Sequence, residues 1–289
     1  MANRTFKRVT LEGFLHLLAN EAKNLMRGEY SPMGVSSMRK ADGTVVTDVD
    51  LAISREVRKL IGIFQTDPVI IDEESDFPEH NPKRGRKFIL DPLDGTQAHI
   101  HGRADSVFVC AIMQDSVPLH AVVLAPLYYD AGQGAREYTA TRGRGAFLNI
   151  NRNRVGISVS TRTSGQRIAL AVSKAKDRPY DGYLLAHELF ANHGMVVETL
   201  RSISHECVML ASGHIDGVIF PWGSLHDAVA GDLLVREAGG VTSDLCGDPL
   251  DFSEKNVVSK SGLPGFIMAN NRETHAVLLE AVQEHRLKN

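Results

Sequence analysis

Residues 88–96 read Phe-Ile-Leu-Asp-Pro-Leu-Asp-Gly-Thr, an apolar strand that runs straight into two aspartates three apart. Pro92 removes one backbone donor and fixes φ, and Gly95 permits an unusual turn. That geometry can bring both carboxylates and the carbonyl of Leu93 to one side. Gly95 and Thr96 then open a new segment whose N–H groups can face an anion. Two carboxylates and a carbonyl oxygen suit a hard divalent cation. A plain Asp-Pro turn has the same spelling, so the segment alone leaves both readings open.

Three further segments carry acids at positions that a strand or helix end would expose. Ile70-Ile71-Asp72-Glu73-Glu74-Ser75 follows a short apolar run. Lys40 to Asp50 reads as a turn, a short strand and acids that open a helix. Helix capping accounts for Asp48, and less well for Asp50 as well. His226-Asp227-Ala228-Val229-Ala230-Gly231 leads into a helix that stops at Glu237-Ala238-Gly239-Gly240. Each is ordinary by itself, as a solvated loop or an acid at a helix start.

Periodicity orders the rest of the chain. Leu11, Phe14, Leu15, Leu18, Ala22 and Leu25 predict a helix over Thr10–Met26, capped by Thr10 and ended by the Gly28–Gly34 stretch. A second helix is expected over Asp48–Phe64. Short apolar runs at Val69–Ile71, Phe88–Leu90, Ser106–Ile112 and His120–Ala125 read as strands, with a hairpin arm at Gly143–Asn149. The chain turns polar around 150–165, where a lobe boundary is placed, giving lobes of 1–155 and 156–289. Beyond it the expected strands are Ile168–Val172, Met195–Thr199, Gly217–Phe220 and Gly265–Ala269. The expected helices there are Tyr183–His193, Glu206–Ser212, Asp227–Ala238 and Arg272–Leu287. Strand–helix alternation predicts a largely parallel sheet in this half. The class is therefore α/β.

Composition removes other classes. A chain of 289 residues with 43% hydrophobic and 23% charged residues is an ordinary globular protein. A formal net charge of −3 leaves no electrostatic footprint for nucleic acid. The basic stretch Lys83, Arg84, Arg86, Lys87 sits among Pro82 and Gly85 and reads as a solvated loop. Cys110, Cys207 and Cys246 are widely spaced, which fits a reducing, cytoplasmic compartment rather than a disulfide framework. The N-terminus shows no signal-peptide-like apolar stretch, and no uninterrupted apolar run approaches a membrane span.

In this order and at these separations, the acidic segments resemble the inositol monophosphatase family of magnesium-dependent, lithium-sensitive phosphatases. That family shows K-x-D-G-S-P-V-T-x-x-D, then G-E-E-S, D-P-I/L-D-G-T and W-D-x-A-A-G-x-x-x-x-E-A-G-G. The resemblance spans residues 40–240 and implies a layered αβαβα sandwich with a mixed or antiparallel sheet followed by a mostly parallel one. It implies that Glu73 bridges metals, and that Asp91, the Leu93 carbonyl and Asp94 are central ligands. Asp227 then serves the second metal and Asp50 a third, weakly held one. With Glu73, Thr96 helps to activate the attacking water, Asp50 standing beside it in the catalytic set. Gly95 and Thr96 offer N–H groups to the phosphate, near Asp94 and Asp227, and Lys40 lies at the rim.

The implied cofactor is two or three Mg²⁺ ions, and the implied partner is a small phosphorylated metabolite, turned over by a homodimer. Charge bookkeeping agrees. Five acids in one pocket repel one another by roughly 1–4 kcal/mol per pair at effective dielectrics of 80–20. Three Mg²⁺ convert five negative charges into about one positive charge, so a phosphate ester can enter.

Several positions depart from the family. Gln97-Ala98-His99 stands where x-N-F is usual, and His226 replaces the Trp before the last ligand. Ser204-His205-Glu206-Cys207 stands where Gly-Thr-Ala-Ala is favoured, and places His205 and Glu206 as substrate contacts. No acid stands about seven residues before Asp227, where inositol enzymes contact a ring hydroxyl; the segment reads Val218-Ile219-Phe220-Pro221-Trp222-Gly223. These departures put the alcohol in question and leave the chemistry intact. Inositol-1-phosphatase-like activity leads; histidinol-phosphate and phosphoadenosine phosphatase activities are alternatives, and fructose-bisphosphatase activity stands behind them. A regulatory binding protein that keeps the fold is the non-enzymatic rival. His99, His101, His205 and His226 also invite a zinc reading, which the acid-rich set disfavours.

Overall fold

A computed structural model describes residues 9–28, 36–40, 45–75, 85–126, 134–151, 153–170, 180–199, 202–253 and 263–285. The Gly28–Gly34 helix stop beyond Gly28, Asp42–Thr44, Pro82–Arg84, Val172 and the end of the last helix beyond His285 lie outside these residues. The first half runs α1 (Leu11–Gly28), β1 (Ser37–Arg39), β2 (Val45–Thr47), α2 (Asp48–Phe64), β3 (Val69–Asp72) and β4 (Arg86–Asp94). It continues α3 (Thr96–Ile100), β5 (Val107–Gln114), β6 (Val117–Ala125), β7 (Arg136–Thr141), β8 (Ala146–Ile150) and β9 (Asn153–Ile157). The second half runs β10 (Arg167–Leu170), α4 (Gly182–His193), β11 (Val196–Thr199), α5 (Ile203–Ala211) and β12 (Gly217–Gly223). It ends with α6 (Leu225–Glu237), β13 (Val241–Asp244), β14 (Leu263–Ala269) and α7 (Arg272–Glu284).

Five layers follow from which faces are apolar. The seven-stranded sheet, β3 to β9 in chain order, is mixed: β3 pairs parallel with β4 and every later pair is antiparallel. One face offers Phe88, Leu90, Phe108, Cys110, Ile112 and Val122 to α1 and α2. Alternation along each strand turns Ile89, Val107, Val109, Ala111 and Val123 to the other face. That face buries α5 and α6, which also cover Ala169, Val218, Phe220 and Met268 of the second sheet. The far side of the second sheet packs Ile168, Leu170, Ile219 and Ile267 on α4 and α7. The order is helix, sheet, helix, sheet, helix.

The second sheet has the order β11-β10-β12-β14-β13. Its first three strands are parallel, and β14 runs antiparallel to both β12 and β13. Its parallel part is thus narrower than strand–helix alternation implies, since β14 and β13 join it antiparallel. The polar stretch after residue 150 is not all loop: β9 pairs with β8 as an exposed edge strand. The strands change sheet between Ile157 and Arg167. Among the described residues no helix is long and apolar enough to cross a membrane.

Candidate functional site

β4 carries the first two acids, and a register shift explains how both serve one site. Asp91 lies opposite Val109 and Asp94 opposite Val107, so three steps on β4 match two on β5. In a regular strand residues three apart point to opposite faces; the bulge restores them to the same one. Asp91 Oδ1 accepts from Leu93 N at 2.9 Å, which fixes the bulge. Gly95 follows at φ 83° and ψ 40° and caps α3. A Cβ there would stand 2.8 Å from the Asp105 carbonyl oxygen and 3.2 Å from Ser202 Cβ, so glycine is required by both φ and space.

The other elements arrive at the same point. α6 starts at Leu225 rather than Asp227, with Ser224 as its cap. Ser224 Oγ accepts from Asp227 N at 3.2 Å and donates to Asp227 Oδ2 at 2.7 Å. α5 likewise begins earlier than its apolar run, at Ile203 with Ser202 as cap, and Ser204 N donates to Asp94 Oδ2 at 2.6 Å. Asp91, Asp94 and Asp227 each place a carboxylate oxygen within 4.8 Å of the others. Burial first, then mutual repulsion and Glu73, raises the Asp91 carboxyl well above the usual range. Burial, Asp94 and Glu73 do the same to Asp227. Asp94 is raised by burial against the hydrogen bonds from Ser204 and Ser202.

Because β3 runs parallel beside β4, Glu73 N donates to Leu90 O at 3.1 Å and Glu73 sits next to Asp91. Its carboxylate raises the Asp91 pKa and accepts from Lys40 Nζ at 3.2 Å. Lys40 also donates to Glu74 Oε1 at 2.6 Å, so it does reach the site's edge. Burial raises Glu74 to about 7 despite that partner. Of the three adjacent acids Glu73 is the one whose charge raises Asp91, Asp94 and Asp227, although it stands outside the three carboxylates that meet within 4.8 Å. Asp72 turns away to accept from Ser54 Oγ at 2.5 Å.

Asp50 is the third helical residue of a capping box with Thr47, and not Asp48, which opens α2. Its Oδ2 accepts from Thr47 N at 2.8 Å and its Oδ1 lies 3.2 Å from Thr96 Oγ1. The same hydroxyl lies 3.1 Å from Leu93 O, which ties α2, the bulge and α3 together. Burial raises the Asp50 carboxyl despite these bonds.

The histidines do not assemble. His99 is buried, whereas His101 is exposed and its ring meets Gln97 O at 2.7 Å, so the pair cannot chelate. Buried His226 has its pKa lowered by burial, and neither ring nitrogen has a hydrogen-bond partner among the described residues. No histidine joins the acid cluster among the described residues. His205 and Glu206 occupy the first turn of α5, directly after the residue bonded to Asp94. Phe220 does not face the site: it is 1% exposed and packs on Phe266 with ring centroids 4.7 Å apart. Trp222, 48% exposed, is the side chain of that segment open to solvent.

The donor set is all oxygen and self-repelling, running from buried Asp91 out to Glu73, whose side chain is 39% exposed. That fits a hard divalent cation held by Asp91, Asp94, Asp227, Glu73 and the Leu93 carbonyl.

Comparison with known proteins bears on the family and the fold. The chain is 30% identical over 233 residues to a histidinol-phosphatase of Mycobacterium tuberculosis, covering 80% of this chain and 85% of the relative. It is 29% identical over 270 residues to Nus factor SuhB of Pseudomonas aeruginosa, covering 92% of this chain and 93% of that one. A crystal structure described as IMPase/NADP phosphatase complexed with Mg²⁺ and phosphate superposes with a TM-score of 0.74 at 17% identity. That likeness covers 92% of each chain and shows the shared fold. With the model of the Inositol monophosphatase family matching residues 9–287, the chain belongs to the inositol monophosphatase family.

Proposed function

We propose that the chain hydrolyses the phosphate monoester of a small metabolite with magnesium as cofactor. The observation that carries this reading is the meeting of Asp91 and Asp94 of β4 with Asp227 of α6, from two widely separated stretches of chain, within 4.8 Å around the buried Asp91. Two or three Mg²⁺, held by these residues with Glu73, the Leu93 carbonyl and Asp50, supply Lewis-acid and water-activating chemistry. A magnesium- and phosphate-bound relative of the same fold supports that choice.

The chain's own groups divide the remaining work. The Thr96 hydroxyl, between Asp50 and the Leu93 carbonyl, orients the attacking water together with Glu73. The N–H groups of Gly95 and Thr96 hold phosphate oxygens at the start of α3. Asp94 and Asp227 border the phosphate, and His205 and Glu206 face the leaving alcohol.

A second substrate reading has its own support. The relative named histidinol-phosphatase, together with the acidic Glu206 in the first turn of α5, favours an alcohol carrying a positive charge. A panel of inositol 1-phosphate, histidinol phosphate and adenosine 3′,5′-bisphosphate separates the substrates. Magnesium-dependent turnover of p-nitrophenyl phosphate tests the class itself. Turnover that survives excess chelator overturns the metal reading, and no turnover with any ester leaves the binding-protein rival. The proposal extends to a homodimer, checked by light scattering.

A further inference from the structure

The face of the first sheet that packs on α1 changes character toward its edge. Leu124 of β6 lies opposite Glu137 of β7, which lies opposite Asn149 of β8, so one row passes from apolar to polar on one face. Above that row, His16, Asn20, Lys23 and Arg27 recur along α1 at the spacing of one helical face. Between them lies a cavity of about 590 Å³, lined also by Gly134 and Asn151. A Cβ on Gly134, at φ 83°, would stand 2.9 Å from Asn151 Oδ1. None of the clustered acids lines this space.

Its charge is unbalanced. His16 pairs with Glu137, which also accepts from Asn149 Nδ2 at 3.2 Å, so the cavity's carboxylate is already engaged. That partner raises the His16 pKa, which favours its cationic form. Lys23 and Arg27 then remain as two cations with no ion pair among the described residues. Lys23 donates to Asn20 Oδ1 at 2.5 Å, and Arg27 spends one of its five donors on Pro126 O at 3.2 Å. Two cations and several amides around a cavity of ligand size form an anion receptor.

We propose that this cavity is a second anion site, separate from the acid cluster, which takes a small dianionic metabolite of the phosphate-ester kind. Lys23 and Arg27 hold its charge, and Asn20, Asn149 and Asn151 meet its oxygens or hydroxyls. The site is independent of whether the acid cluster is catalytic.

Isothermal titration of the chelator-treated full chain with inorganic phosphate tests this. Without cations the acid cluster repels phosphate, so saturable binding reports the cavity. The expected result is one site per chain, weakened about tenfold or more by either Lys23→Ala or Arg27→Ala. Asp91→Asn should leave it intact. Absence of saturable binding, wild-type affinity in both cavity variants, or loss in Asp91→Asn overturns the proposal. Circular dichroism verifies that each variant is folded. Should Arg27→Ala unfold, Lys23→Gln, which keeps the stem and removes only the charge, decides.

Discussion

Asp227→Asn separates an acid cluster built for cations from one that merely happens to be acidic. In the metal-free protein Asp227 repels both Asp91 and Asp94. At the 4.8 Å limit of their separation, each pair costs about 0.9 kcal/mol at an effective dielectric of 80 and about 3.5 at 20. Two pairs amount to about 2–7 kcal/mol, part of which the native carboxyls already relieve by binding protons at raised pKa values. The amide oxygen of Asn can still accept the bond from Ser224, so the cap of α6 survives. The expected net gain is about 1–2 kcal/mol, which raises Tm by about 2–8 °C. Magnesium at a hundredfold excess over its Kd should add about 2.7 kcal/mol to the wild type and little to the variant. Differential scanning fluorimetry with chelator and with magnesium reads both. A variant less stable than wild type in chelator, yet equally stabilised by magnesium, refutes the reasoning.

Lowering pH should stabilise the metal-free protein. Asp91, Asp94, Asp227 and Glu74 have native pKa values above their unfolded ones, so the native state binds more protons and stability rises as pH falls from neutral toward about 4. Magnesium should reverse that slope in urea melts, since protons and cations compete for the same oxygens. Glu206→Ala should change KM and substrate ranking while sparing p-nitrophenyl phosphate, and equal losses on every ester would make Glu206 structural. Asp50→Asn should shift the magnesium optimum upward, and an unmoved optimum removes Asp50 from the ligands. Millimolar lithium should inhibit uncompetitively with substrate, and flat rates across a lithium titration would deny this chain the family's lithium site.

The parts legible in the sequence are those where one short segment carries its own geometry. Asp91-Pro92-Leu93-Asp94-Gly95 is such a segment, because the bulge, the bond from Leu93 N and the positive φ all arise within it. Asp227 is not: an acid in the first turn of a helix is commonplace, and the family pattern singled it out. Both α5 and α6 start earlier than their apolar runs imply, at serines whose hydroxyls cap the helix. β13 escapes a pattern search because Val-Thr-Ser-Asp holds one apolar residue, and its partner β14 supplies the reason for its extension. β9 escapes because it is an edge strand exposed along almost all its length. The α1 cavity is invisible to local reading, since its walls are separated by about a hundred residues of chain.

What remains is why the site sits where it does. Every acid in it stands at the end of an element: Asp91 and Asp94 where β4 bulges, Glu73 just past β3, Asp227 and the Asp94-binding Ser204 in first turns of α6 and α5. Element ends are where backbone groups lack regular partners, so they can serve a ligand or a neighbouring carboxylate without breaking a ladder. α5 and α6 form the middle layer, buried against both sheets by one continuous apolar cluster. Packing of that layer therefore sets the distance between Asp227 and Asp94. Core residues such as Val107 and Val109, paired in the ladder with Asp94 and Asp91, and Ala228 and Val229, which follow Asp227 in α6, act on the site through the positions they hold. His205 and Glu206, in the first turn of α5, take no part in that apolar cluster. On the proposed reading the buried layer fixes the metal-binding geometry, and the choice of alcohol falls to a few residues at its rim.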